Sequence, residues 1–360
     1  MILIDKPKIK RINKKSRLLC NIKTDYKEFD LYFETDLKYE KYLCTERADA
    51  FLIAVLPYAM RNNQDIFCKQ CVTEQLLYNI REILIPTLSG NDDKIYNIKI
   101  TAKTDSKKLG NPKYVGTGLS CGVDSFHVIH NLHNCKYKDM QLTHLCINSV
   151  GSFHHSYDEY GHEKIIADCR NNAKIVADKL GLELIITDSN LSEDTFGFNF
   201  YGSVHTYFNM FAVYCMQKFW KTYYYASTYD YSYFNLKNNS QNDCSYFDLL
   251  LLHCFSTRNL QLYSEGASVT RLQKVKQIAD DKLPQKYLHV CLTNGKNCGK
   301  CIKCKRTILE LYALNKLDLY KDVFDVDYFY NNIDEYMGYL EENKDHYMLK
   351  EVYEILCKNK

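Results

Sequence analysis

From Lys113 onward the sequence alternates strand-like and helix-like segments, and this alternation restricts the fold more than any other feature. Tyr114 to Leu119 reads as a short strand, followed by a Ser/Gly turn and a helix from Ser125 to about Leu132. Leu142 to Asn148 is a second strand, and a helix from Glu163 to Leu180 closes at Gly181, a residue suited to a helix C-terminus. Leu182 to Thr187, a helix from His205 to about Phe219, and Thr222 to Ser227 continue the pattern. Strands separated by helices of this length predict a parallel sheet covered on both faces, hence an α/β fold.

The first 110 residues read differently. Leu18 to Ile22 and Phe29 to Phe33 have strand character. A helix is expected over Arg47 to Arg61, and a second over Thr73 to Leu84, ended by Pro86. Ile95 to Thr101 alternates like a strand, and Thr104 to Pro112 is polar, with Gly and Pro, like a linker. The expected organisation is a small α+β module over 1–110 with no visible chemistry, an α/β domain over 113–290, and a C-terminal piece over 291–360. A length of 360 residues with 46% apolar content supports such a division. The net charge of +3, with both signs mixed, argues against nucleic acid as a partner. The basic stretch Lys6 to Arg17 reads as a solvated arm. Neither a secretory signal pattern nor an apolar run of membrane-spanning length is present, so a cytoplasmic protein without membrane association is expected. In that reducing compartment scattered cysteines are small buried hydrophobes, and clustered ones are metal ligands.

Leu119-Ser120-Cys121-Gly122-Val123-Asp124-Ser125-Phe126 joins the first strand of the α/β region to its helix. Open α/β sheets bind nucleotides at that place. A turn of small residues lets backbone N–H groups approach phosphate oxygens, and the helix N-terminus adds partial positive charge. The hydroxyls of Ser120 and Ser125 can donate to the same oxygens. A carboxylate among phosphates, Asp124, predicts a bridging cation such as Mg²⁺.

At these residues the chain resembles the PP-loop ATP pyrophosphatases, whose signature is Ser-Gly-Gly-x-Asp-Ser. Ser120, Gly122, Val123 (the free position), Asp124 and Ser125 match, and Cys121 replaces the first glycine. A side chain at that place is tolerated if φ there is negative. The Gly-Lys-Ser/Thr ending of a Walker loop is absent. The amide-forming branch has a second strand bordering the adenine, a place filled by Thr143 to Asn148. Its long helix and third strand resemble Asn172 to Gly181 and Leu182 to Ile186. The resemblance implies a Rossmann-like domain binding ATP through Ser120, Cys121, Gly122, Val123, Asp124, Ser125 and Asn148.

A second signal is Cys291-x6-Cys298-Gly299-Lys300-Cys301-x2-Cys304. Four thiolates in a knuckle suit a tetrahedral Zn²⁺, although an iron–sulfur cluster uses the same ligands. Lys300, Lys303, Lys305 and Arg306 would offset the negative charge of a four-thiolate centre. The Cys-Gly-x-Cys-x2-Cys core, together with the loop, resembles the 7-cyano-7-deazaguanine synthase family over residues 113–312. That family has a Ser-Lys helix start ahead of its knuckle, where this chain has Thr270-Arg271. The resemblance implies an ATP-dependent ligase that adenylates a carboxylate or amide oxygen and releases pyrophosphate before an amine or ammonia attacks. It implies ATP, Mg²⁺ and Zn²⁺, with Asp124 and Arg271 as catalytic residues and Lys274 as the alternative cation. The acid belongs to a small molecule or a protein terminus, a homodimer is allowed, and the setting could be specialised metabolism or antiphage defence. The alternatives are a nucleotide-binding partner without turnover and an RNA-thiolating enzyme.

Other features have plainer readings. The His- and carboxylate-containing stretch Phe153 to His162 is expected to be a polar loop near the site rather than a metal centre. His127, His130 and His133 read as packing or surface residues, Cys68 and Cys71 as a structural pair, and Asp243 to Leu252 as core or a subunit contact.

Overall fold

The computed structural model describes residues 1–358 apart from 153–161, 238–242, 292 and 294. Strands β1 (Ile2–Ile4), β2 (Lys8–Ile12), β3 (Lys15–Lys23), β4 (Glu28–Asp36), β5 (Ile66–Cys68), β6 (Val72–Thr73), β7 (Ile100–Thr101) and β8 (Thr104–Asp105) come from the N-terminal third. The α/β region contributes β9 (Tyr114–Gly118), β10 (His144–Asn148), β11 (Glu183–Ser189), β12 (Trp220–Ala226) and β13 (Gln261–Glu265). Among the described residues, 11 strands form one mixed sheet in the order β13-β12-β9-β10-β11-β4-β3-β1-β5-β7, with β2 on the outside of β3.

The strands β9 to β13 are mutually parallel, as apolar segments separated by helices require. Their order places β9 centrally, with the chain winding one way through β10 and β11 and the other way through β12 and β13. At the β11 edge, Asp188 and Ser189 pair antiparallel with Glu34 and Phe33 of β4. The N-terminal strands thereby cover a sheet edge that would otherwise offer unpaired backbone groups.

The 104–112 stretch therefore marks no break in the sheet. β8 lies within it and pairs with β6, and one apolar core runs from Ile2 and Phe51 to Phe211 and Leu262. Helix Asp49–Arg61, buried from Asp49 to Met60, packs on helix His205–Cys215 through Phe51 and Phe211, whose rings are 5.6 Å apart edge to face.

Four sequence expectations need correction, the first being the solvated arm over Lys6 to Arg17, which instead forms β2 and the start of β3, paired antiparallel from Lys8–Leu19 to Ile12–Lys15. Pro86 does not end the second helix: Glu74–Tyr78 continues through a π-helical turn, Asn79–Leu84, into Ile85–Ser89. The π turn changes the hydrogen-bond register just ahead of the residue that lacks an N–H. The strand expected over Ile95 to Thr101 is confined to Ile100–Thr101, the two residues that pair with Ile66 and Phe67 of the short β5. The helix expected to reach Phe219 stops at Cys215, and Phe219 instead packs under Tyr114 at 4.2 Å. Among the described residues, no helix is long and apolar enough to cross a membrane.

Candidate functional site

The Ser120–Ser125 turn stands at the carboxyl end of β9, where the sheet changes winding direction. Gly122 precedes helix Val123–Leu132 in an extended conformation and its carbonyl accepts from Phe126 N and, at 2.9 Å, from Ser125 Oγ. Ser120 Oγ accepts from Gly122 N at 3.3 Å. These bonds fold the turn around the start of the helix.

Cys121 does not have the negative φ that a side chain tolerates freely. It sits at φ +59°, in the left-handed region, with its side chain buried. A Cβ in that region costs about 1–2 kcal/mol. One tie offsets the strain: the Cys121 carbonyl accepts from His289 N at 2.9 Å, which fastens the loop to the segment leading into the cysteine cluster. Burial pushes the Cys121 thiol far above its usual range, so it is a neutral packing group.

Asp124 is the centre of a charge cluster. Its Oδ2 accepts from Arg271 Nη1 at 3.1 Å and its Oδ1 from Lys274 Nζ at 3.1 Å. Burial alone would push the Asp124 carboxyl up; Lys274 and Arg271 outweigh it and hold it at about 2. Each carboxylate oxygen already faces a side-chain cation, so the local charge does not by itself require Mg²⁺.

Both cations come from helix Arg271–Ile278, which starts with a capping box between Thr270 and Gln273. Lys274 is 1% exposed and its ammonium also donates to Ser227 O at 2.6 Å and Ser227 Oγ at 3.0 Å, which uses all three of its donors. Gly266, at φ +89°, leaves room for it: a Cβ there would lie 3.1 Å from Lys274 Cε and 2.9 Å from His127 Nδ1. Arg271 is anchored from behind by Glu310, whose side chain is fully buried, with Nε 3.2 Å from Oε1. Burial works against the Arg271 charge, and Glu310 and Asp124 more than restore it.

Two residues were read in the sequence only as counter-charges for the cysteines. Lys303 and Arg306, on helix Ile302–Ala313, line the pocket in front of the loop with Ser120, Gly122, Asp124 and Arg271. Their spacing from Glu310 on one helix face was the available signal. Asn297 was missed altogether. Its Oδ1 accepts from Val290 N at 2.8 Å and Cys291 N at 3.2 Å, and its amide donates to Leu288 O at 2.8 Å, shaping the turn into the cluster.

The sulfurs of Cys291, Cys298, Cys301 and Cys304 lie within 4.8 Å of one another and could hold a metal ion such as zinc. Cys298 and Cys304 are 4.0 Å apart, against about 3.8 Å for two thiolates at tetrahedral zinc distances. Gly299, at φ +73°, makes the knuckle turn, and Cys301 N donates to Cys298 Sγ at 3.3 Å, as knuckle amides do to thiolates.

A cleft of about 1370 Å³, counted with its open mouth, runs from Ser120 and Asp124 past Asn148 to Tyr201, His205 and Tyr225. Asn148 is positioned by Thr187 Oγ1, 3.1 Å from its Oδ1, and by Tyr223 OH. The structure thus brings Ser120, Gly122, Asp124, Asn148 and Arg271 around connected cavities. His127 and His130 instead face Gln277 at 2.6 Å and Asp281 at 2.7 Å, fixing helix to helix. The expected polar loop from Phe153 lies outside the described residues. Comparison with family models, with curated proteins and with solved structures finds no match.

Proposed function

We propose that this chain is an ATP-dependent ligase that adenylates an acid group, releases pyrophosphate and passes the acyl group to an amine or ammonia. The observation that carries the reading is the Ser120–Ser125 turn at the switch point of a parallel sheet, with Asp124 gripped by Arg271 and Lys274. On this reading the loop amides and the hydroxyls of Ser120 and Ser125 hold the triphosphate, and the adenine lies toward Asn148. Lys274, with every donor committed, fixes Asp124. Arg271, Lys303 and Arg306 face the place where negative charge grows as pyrophosphate departs. Mg²⁺ would enter with ATP and supply further charge there. Zinc on the four cysteines would hold helix Ile302–Ala313, and with it Lys303 and Arg306, against the loop.

The acid substrate would occupy the cleft between Asn148 and Tyr225. Incubating the full chain with ATP and a panel of carboxylic acids should release pyrophosphate with one of them, and Asp124→Asn should abolish that release. Binding of ATP without pyrophosphate release from any acid would leave a nucleotide-binding partner. Failure to bind ATP at millimolar concentration would end the reading.

A further inference from the structure

At the far end of the cleft, away from Ser120–Ser125, a second group of metal-ligating side chains converges. His205 opens helix His205–Cys215, while Asp243 and Cys244 lead into the turn Cys244–Phe247. One ligand atom from each of the three lies within 4.8 Å of the others.

His205 Nε2 and Asp243 Oδ1 are 3.5 Å apart. That is long for a hydrogen bond, whereas two ligands about 2.1 Å from a tetrahedral ion stand about 3.4 Å from each other. The other ring nitrogen is committed elsewhere: His205 Nδ1 lies 2.5 Å from the Tyr225 hydroxyl. An outer partner of this kind fixes the tautomer of a metal-binding imidazole and aims its other nitrogen. Ser245 Oγ lies 3.0 Å from Nε2 and 2.6 Å from Asp243 Oδ1, holding the two ligands in register.

Asp248 supplies an independent sign. It is 4% exposed and close enough to His205 and Asp243 for their charges to interact, yet its Oδ2 has no hydrogen-bond partner. A buried carboxylate oxygen left unmatched is costly, and a positive charge nearby would offset that cost.

We propose that His205, Asp243 and Cys244 form a second metal site, distinct from the four-cysteine cluster, that takes a zinc-type divalent ion. Imidazole, carboxylate and thiolate together suit a borderline-soft cation and exclude Mg²⁺, which prefers oxygen alone. Thiolate and carboxylate balance the two positive charges. Three protein ligands leave a fourth position, the arrangement of a reactive rather than a structural zinc. His205 lines the cleft with Tyr201, Asn209 and Tyr225, and on this proposal the open position is reached from that space. An oxygen donor, a carboxylate first, is the ligand it would take. The site stands whether or not the loop binds ATP.

The test is metal stoichiometry on the full chain, equilibrated with Zn²⁺ alone and freed of loose ion by gel filtration. Wild type should carry two zinc per chain, and Cys244→Ala and His205→Gln one each, with unchanged circular dichroism. After Co²⁺ exchange, the thiolate charge-transfer absorption should fall by about one fifth in Cys244→Ala, since one thiolate of five is lost. One zinc per wild-type chain overturns the proposal, and so do two zinc retained in folded Cys244→Ala. Should that variant fail to fold, the wild-type stoichiometry and His205→Gln still decide.

Discussion

The two ends of the sheet bury their interiors in different ways. In the N-terminal part the buried material is apolar: Phe51, Leu52, Ile53, Val55 and Leu56 are fully buried along one helix. Its ion pairs lie mostly at the surface, as in Arg11–Glu40 and Lys23–Glu28. The exceptions are buried Arg47, paired with Asp105 at 2.8 Å, and buried Asp49, which accepts from Thr73 N at 2.8 Å; both work as local structural ties. In the parallel part, Arg271, Lys274 and Glu310 are buried together around Asp124. Burying charge seldom gains stability over apolar packing of the same volume. The first region is thus built for stability and the second holds charges in fixed positions, which is what an electrostatic site requires.

The largest test of this contrast is removal of residues 1–110. It would uncover the β11 edge and the Phe211 face of helix His205–Cys215. No folded, monomeric 111–360 fragment is expected by circular dichroism and gel filtration. A stable fragment would make the two regions independent units.

Next is the charge cluster. If Arg271 acts on the transition state, Arg271→Ala should lower ATP turnover roughly a hundred- to a thousand-fold, or about 2.7–4 kcal/mol. Turnover within about threefold of wild type would remove Arg271 from that role. Glu310→Gln leaves Arg271 without its rear partner and should cost about 3–5 kcal/mol in denaturant unfolding. Phe51→Ala should cost a similar ~3–5 kcal/mol, but with nucleotide affinity unchanged. Equal loss of affinity in both variants would erase the distinction between the regions.

A smaller effect is expected at Cys121. Glycine and alanine both remove the thiol, but only glycine accepts φ +59° freely. Cys121→Gly should therefore be more stable than Cys121→Ala by about 1 kcal/mol. Equal midpoints would mean that the turn relaxes out of the left-handed region.

The smallest effect is at low pH. The folded Asp124 carboxyl titrates at about 2, below its ordinary 3.8. Its ionised form therefore adds stability above the ordinary value, and that contribution is lost as pH falls from 3.8 toward about 2. Wild type should lose more stability across that interval than Asp124→Asn. Parallel acid-unfolding curves would show that the cluster does not favour the ionised carboxylate.

Local pattern determined a good part of this protein. The strand and helix alternation after Lys113, the small-residue turn at Ser120–Ser125 and the spacing of the four cysteines all depend on neighbours a few residues apart. Each reappears in the structure as a parallel sheet, a strand-to-helix turn and a sulfur cluster. What the sequence left undecided involves partners far apart along the chain. Ile2–Ile4 and Ile66–Cys68 are too short to read as strands, yet they pair with each other once helix Asp49–Arg61 covers them. The union of β4 with β11 joins Phe33 to Ser189, and periodicity carries no information about such a pairing. The sites follow the same rule. Arg271 was chosen by its place in a motif, with Lys274 as the alternative, but Glu310 backs Arg271 only because helix Ile302–Ala313 packs on helix Arg271–Ile278. Cys244 read as part of an apolar stretch until the fold set it beside His205. Backbone preference and hydrophobic period are local quantities, whereas the meeting of distant charges and ligands is decided by packing, which only the tertiary structure sets.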